Sequence, residues 1–306
     1  MYHYVRTAPE GLPYFRYLHV DDFRKQLDFL AQTDRFISKN EFAAILKSGT
    51  APKDGIILTF DDATKDHVDY VVPELKKRGL WGIFYVPTGM YETGKMLDVH
   101  RIHYLMGKYG GVTILEKLND MVVPEMIQKD KYAEFKEKTY PHQDNDAATM
   151  EAKRILNYYL LYEYREKILD DLMRENGDEA AFVHEYYVTP DEMVSMSENG
   201  MTIGSHTVTH PVLSKLSVAE QKAEIINSFA YLEKVTGGLD LKTFCYPYGR
   251  SVTYTQETKN ILSEIGCDFT FAVEHRDITD ADIRENVQAL PRWDCNQFPH
   301  GVARQG

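Results

Sequence analysis

Short apolar runs alternate with helical stripes along most of this chain. The helical pattern first appears where Asp21 is placed to cap a helix carrying Phe23, Leu27 and Leu30 on one face. Ser38 and Glu41 stand at capping-box spacing for the next short helix. Residues 55–60 (GIILTF) then predict an apolar strand that runs straight into Asp61 and Asp62, and residues 80–86 (LWGIFYV) predict another after a helix ending in LKKRG. Thr189, Pro190 and Glu192 open a further helix, which Gly200 closes. Residues 201–205 read as a strand leading into His206. Ser217 with Glu220 caps a helix bearing Ile225, Phe229 and Leu232, and short strands are expected at 243–246, 267–273 and 289–293. Strands alternating with helices imply an α/β architecture with a mainly parallel sheet.

Residues 95–187 break the alternation. They are charged, tyrosine-rich and helical in pattern, with YYLLYEY at 158–164 and no strand signal. The favoured reading is a helical insertion that packs on the main body or on a second copy of the chain, because aromatic clusters at helical spacing are usually packing. A lid over a substrate is the sharper alternative. The histidines of this segment (His100, His103, His142, His184) share no spacing with a nearby acid that beats the Asp62, His206 and His210 set, so no metal ligand is expected there.

Composition narrows the field. With 306 residues, 43% of them hydrophobic, the chain can bury a substantial core without disulfides. A formal net charge of −12 argues against a broad nucleic-acid footprint. Cys245, Cys267 and Cys295 match neither a disulfide framework nor a CxxC metal site and are expected to be reduced and mostly buried. No apolar run approaches the ~20 residues that span a bilayer. No apolar signal core follows a basic start in residues 1–16, so the expectation is a cytoplasmic protein.

Three segments carry chemistry. Asp61 and Asp62 sit at a strand end, where neighbouring side chains point in different directions, so one carboxylate can bind a metal while the other acts as a base. In GSHTVTHP (204–211), His206 and His210 stand four apart, which on a helix puts both imidazoles on one face. Neutral imidazole suits zinc and its first-row neighbours, and two His with one Asp leave a coordination position open, the mark of a catalytic metal site. In FCYPYGR (244–250), Pro247 and Gly249 force a tight loop after a strand and turn backbone N–H groups toward a ligand. Each segment alone is a weak signal.

In this order, TFDD, SHTVTH and YPYG resemble the polysaccharide deacetylase family, the NodB-homology carbohydrate esterases. The resemblance covers the strands around 55–95 and 189–295. It implies a single catalytic domain over 1–306, a distorted (β/α) barrel with fewer than eight regular repeats and a helical insertion at about 95–187. It also implies zinc or another divalent metal held by Asp62, His206 and His210, with Asp61 as general base. Relatives often carry an Arg two residues before the proline of the third motif, where it holds the catalytic carboxylate. Cys245 occupies that place here, and Arg292, in LPRW, is expected to supply the guanidinium. The usual Leu-x-His near the C-terminus is also missing. Residues 2–5 (YHYV) resemble the arrangement of poly-N-acetylglucosamine deacetylases, which nominates His3 as general acid, with His300 the alternative.

The implied reaction removes an N-acyl group, acetyl first, from an amino sugar or glycan. Asp61 takes a proton from the attacking water, the backbone N–H of Tyr248 helps hold the oxyanion, and His3 protonates the leaving amine. Trp293 and Tyr248 are candidates to wall the acyl pocket or stack on a sugar ring. Alternatives are the same metal chemistry on another amide or an O-acetyl ester, or a non-catalytic carbohydrate-binding relative. The expected partner is an N-acetylated sugar or glycan, with the insertion a candidate surface for a homo-oligomer.

Overall fold

Parallel pairing between strands that follow one another in sequence gives the main sheet its curl. The computed structural model describes residues 1–139 and 145–306. Its strands are Val5–Arg6 (β1), Arg16–His19 (β2), Thr59–Asp61 (β3), Ile83–Val86 (β4), Thr202–Ser205 (β5), Thr243–Cys245 (β6), Phe269–Phe271 (β7) and Arg304–Gln305 (β8). β3 to β7 lie side by side in that order, and every pair is parallel. A sheet wound in one direction curls as a barrel does, whereas a doubly wound sheet reverses its strand order. Both edges are met by single parallel bridges, Tyr2 on Phe60 and Leu290 on Phe271. Those end staves join where the Cys295 N–H donates to the Met1 carbonyl at 3.1 Å. The outcome is the expected distorted (β/α) barrel. β1, β2 and β8 form a small outer sheet.

The helix starts follow local chemistry. Thr189 and Ser217 complete capping boxes with Glu192 and Glu220, each satisfying otherwise orphaned backbone donors. Ser38 accepts the Glu41 N–H, but the Glu41 carboxylate turns to Arg35, so that box is only half made. The helix expected to begin at Asp21 opens at Val20 instead. His19 is its cap, accepting the Asp21 N–H at Nδ1, and Asp21 lies in the first turn.

The strands are shorter than their apolar runs, and two of them show a physical reason. The 55–60 run pairs in the main sheet only from Thr59, since Ile56 bridges Phe36 instead. The strand expected at 289–293 is reduced to the Leu290 bridge, because Pro291 has no N–H to continue a ladder.

Within 95–187 the chain forms helices Asp98–Met121, Tyr132–Lys138, Ala147–Arg154, Tyr162–Met173 and Glu179–Tyr186. Its strand-like contacts are isolated bridges, Thr64 with Tyr187 and Ile127 with Leu160. This layer is continuous with the barrel core: Leu97, Ile102, Leu105 and Tyr187 share one buried cluster with Phe60 and Phe84. Buried Arg101 clamps Glu179 through two hydrogen bonds at 2.6 and 2.7 Å, tying the first long helix of the layer to the last. Among the described residues, no helix is long and apolar enough to cross a membrane.

Candidate active site

The site gathers at the carboxyl ends of the parallel strands, where barrel enzymes place their chemistry. β3 ends in Asp61 and delivers Asp62, β5 delivers His206, β6 ends in Cys245, and the Leu290 stave delivers Arg292. A cavity of about 180 Å³ opens there, touched by His3, Asp61, Asp62, His206, His210 and Tyr248 among others. The larger apolar cavity, about 450 Å³, reaches Thr59 and Arg292 but neither Asp62 nor the two imidazoles.

Arg292 and Asp61 form a buried, two-pronged pair. Nη1 and Nη2 donate to Oδ1 and Oδ2 at 2.9 and 2.8 Å, and Nη1 also donates to Thr59 Oγ1 at 3.0 Å. The guanidinium lies between the rings of Tyr85 and Phe271. Burial alone pushes the Asp61 pKa up, but the charge and hydrogen bonds of Arg292 outweigh it and hold the carboxyl below the usual range. Cys245, at the position where relatives often have Arg, takes a hydrogen bond from Arg292 Nη2 at 2.8 Å.

Asp62 faces the other way. Its Oδ1 is buried without a hydrogen-bond partner and lies 3.5 Å from His206 Nε2 and 3.6 Å from His210 Nε2. Burial pushes both imidazoles down, His210 most strongly, which keeps them neutral and able to ligate. His206 donates from Nδ1 to the Cys245 carbonyl at 2.6 Å, so its Nε2 lone pair is directed at the cluster. The ring centroids of His206 and His210 are 4.7 Å apart.

The HxxxH segment is not helical. It is a loop after β5, with Thr207 at φ 69° and His210 at φ 57°. Glu224 fixes it by accepting the N–H groups of Val208 and Thr209, and Thr207 Oγ1 accepts the His210 N–H. Asp62 (φ 82°), Ala63 (φ 51°) and Tyr248 (φ 61°) are left-handed as well. Among the described residues, His300 (φ 65°) is the one other non-glycine residue in that region. Such conformations cost on the order of 1 kcal/mol each and cluster where geometry matters more than stability.

Two buried sets bring ligand atoms within 4.8 Å of one another: Asp62, His206 and His210, and Asp61, His206 and Cys245. The first fits a divalent metal. Ligands bound at ~2.0–2.1 Å in tetrahedral geometry stand roughly 3.3–3.4 Å apart, close to the spacings seen here. The second fits poorly, because Arg292 occupies both oxygens of Asp61 and burial pushes the Cys245 thiol well up, leaving it protonated.

The nominated acids separate. His3, half-exposed beside the Tyr2 bridge, touches the cavity and has Nε2 4.0 Å from Asp61 Oδ2. His67 holds its backbone by donating from Nε2 to the His3 carbonyl at 3.0 Å. His300 is exposed and does not line the cavity. Tyr248 packs edge-on to His210 at 5.0 Å and donates to Asn157 Oδ1 at 3.0 Å. Trp293 is absent from this cavity's lining. It stacks on His275 at 6.0 Å and donates to Asp277.

The insertion, read from sequence as packing without a metal ligand, also borders the site. Val99, His103 and Asn157 line the cavity, and His100 Nε2 comes within 3.4 Å of Asp62 Oδ2. The sequence did hold a signal, His100 and His103 one helical turn apart on one stripe. His184 is exposed and away from the site, and His142 lies outside the described residues.

Fold and site together define a (β/α) barrel that pairs a clamped carboxylate with an Asp–His–His cluster. Residues 157–270 match the polysaccharide deacetylase family model. It is similar to the peptidoglycan-N-acetylmuramic acid deacetylase PdaC of Bacillus subtilis, at 33% identity over 75 residues. That match spans 23% of this chain and only 16% of the relative. Its fold is similar to that of the deacetylase PplD of Streptococcus pyogenes, solved in complex with acetate, with a TM-score of 0.57 and 20% identity over 96% of this chain and 89% of that one. IcaB from Ammonifex degensii matches with a TM-score of 0.50 and 17% identity, over 89% of this chain and 81% of its own.

Proposed function

We propose that this protein is a metal-dependent hydrolase that removes an N-acyl group, acetyl first, from an amino sugar or glycan. The observation that carries the reading is one pair of adjacent carboxylates in two states. Asp61 is clamped by Arg292, while Asp62 Oδ1 is buried, unpartnered and faced by two neutral imidazoles. Asp62, His206 and His210 would hold the metal, zinc or another divalent ion. When bound, such an ion supplies Lewis acidity toward a carbonyl oxygen and lowers the pKa of water.

Asp61, kept ionised and oriented by Arg292, accepts the proton of the attacking water. The backbone N–H of Tyr248, in the tight loop after β6, serves as a donor to the oxyanion. His3 gives a proton to the departing nitrogen, without which an amine is a poor leaving group. Its approach to Asp61, within 4.0 Å at the same cavity, supports that reading.

A screen of the metal-loaded protein tests the reading, following acetate release from N-acetylated glycans, N-acetyl sugars and O-acetyl esters. Release from N-acetylated substrates supports it. Metal bound with no acyl release from any of these classes would argue for a non-catalytic carbohydrate-binding protein.

A further inference from the structure

The helical layer at 95–187 reaches Asp62 through His100. His100 is fully buried, and its Nε2, which has no hydrogen-bond partner, approaches Asp62 Oδ2 to 3.4 Å. Its other nitrogen, Nδ1, lies 2.5 Å from the hydroxyl of buried Tyr187, and that hydroxyl also accepts the Leu97 N–H at 3.1 Å. Tyr187 ends the same layer and bridges Thr64, two residues beyond Asp62.

The donor and acceptor inventory fixes the protons. An ionised carboxylate can only accept, so Nε2 of His100 must carry the hydrogen that faces Oδ2. Nδ1 is then a bare acceptor and takes the Tyr187 O–H. Tyr187 is free to give that proton because its oxygen is already served by Leu97. The result is a one-way relay, Leu97 N–H to Tyr187 O–H to His100 Nδ1, with His100 Nε2–H turned to Asp62.

We infer that His100 and Tyr187 are positioning residues that hold the outer oxygen of Asp62, so that Oδ1 alone turns to His206 and His210. The helical layer thereby becomes part of the metal site instead of a covering for it. This rests on the metal reading above. Outer partners of ligating groups typically tune metal affinity by about 10–100-fold.

The test measures affinity for Co²⁺ by chelator competition, with the visible Co²⁺ spectrum as a second readout and melting of the metal-free protein as the control for folding. His100→Phe is expected to bind Co²⁺ about 10–100-fold more weakly than wild type, with an unchanged type of spectrum. His100→Gln, whose amide nitrogen can take the place of Nε2–H, should recover most of the affinity. Tyr187→Phe, which removes only the hydroxyl, should weaken binding severalfold.

Wild-type affinity in a folded His100→Phe protein overturns the inference. So does a spectrum in that variant showing one ligand fewer, because His100 would then be a ligand itself. If His100→Phe does not fold, Tyr187→Phe and His100→Gln decide: wild-type affinity in Tyr187→Phe overturns the inference, and a severalfold loss there with near-normal binding in His100→Gln supports it. A wild-type protein that binds no Co²⁺ marks failure of the metal reading, not of the His100 relay.

Discussion

Arg292 grips both carboxylate oxygens of Asp61, at 2.9 and 2.8 Å, from a position 231 residues further along the chain. Both partners are buried, so each is the other's compensation for lost water. Removing one partner of such a pair typically costs about 3–5 kcal/mol, because a bare charge is left inside. Arg292→Met is therefore expected to lower stability by about that amount, and Asp61→Asn with Arg292→Met by clearly less. Denaturant unfolding of the two variants checks this. The held-down Asp61 pKa gives the pH sense: its contribution is present above the unfolded carboxylate range and is lost as pH falls toward the folded value.

Metal content is the second expectation. Protein purified without chelator should carry one divalent ion per chain, and His206→Ala should lose most of it by elemental analysis. Full occupancy in that variant would remove His206 from the ligand set. Chelator treatment of the wild type should abolish turnover, and added zinc or cobalt should restore it.

The candidate site residues were legible because TFDD, SHTVTH and YPYG each lie at the carboxyl end of a strand, and strand ends in a parallel barrel converge. The capping signals at Thr189 and Ser217 were equally direct, since both ask only about residues three apart. What the sequence hid was conformation without a periodic signal. A spacing of four reads as one helical turn, yet His206 and His210 meet through a loop with Thr207 and His210 left-handed. Contacts between distant segments were hidden too. Nothing beside YYLLYEY announces that Asn157 will border a cavity built by strands on either side of it in sequence. The strand expected at 289–293 failed on one atom, the hydrogen that Pro291 lacks.

The proton donor gives a third prediction. His3→Gln should lower turnover on N-acetyl substrates, by about 10²–10⁴-fold if it serves as general acid. Activated aryl acetates, whose leaving group needs no proton, should be spared. His300→Gln should behave as wild type, since His300 is exposed and outside the cavity. The reverse pattern would assign the acid to the C-terminal tail.

His67 sets an acid limit on folding. It is fully buried among Phe60 and Phe84, and burial, the largest influence, pulls its pKa down from 6.5 to about 4 despite its bond to the His3 carbonyl. A histidine held neutral in the fold takes up its proton more readily when unfolded. Its effect is therefore absent above about pH 6.5, grows as pH falls, and levels off below about pH 4, where it amounts to about 3 kcal/mol of lost stability. His67→Phe should flatten the fall in melting temperature between pH 6.5 and 4 relative to wild type. Parallel curves for the two proteins would show that His67 does not titrate there.

The division of labour between the two neighbouring carboxylates is the centre of the account, and one variant measures it. Asp61→Asn keeps the shape of the side chain but removes its basicity, while Asp62, His206 and His210 are untouched. The measurement is acetate release from an N-acetylated glycan, made on the same sample whose metal content is determined. Turnover is expected to fall by about 10²–10⁴-fold with metal occupancy unchanged. Loss of metal along with activity, or metal and full activity both retained, would contradict the assignment of Asp61 as base and Asp62 as ligand.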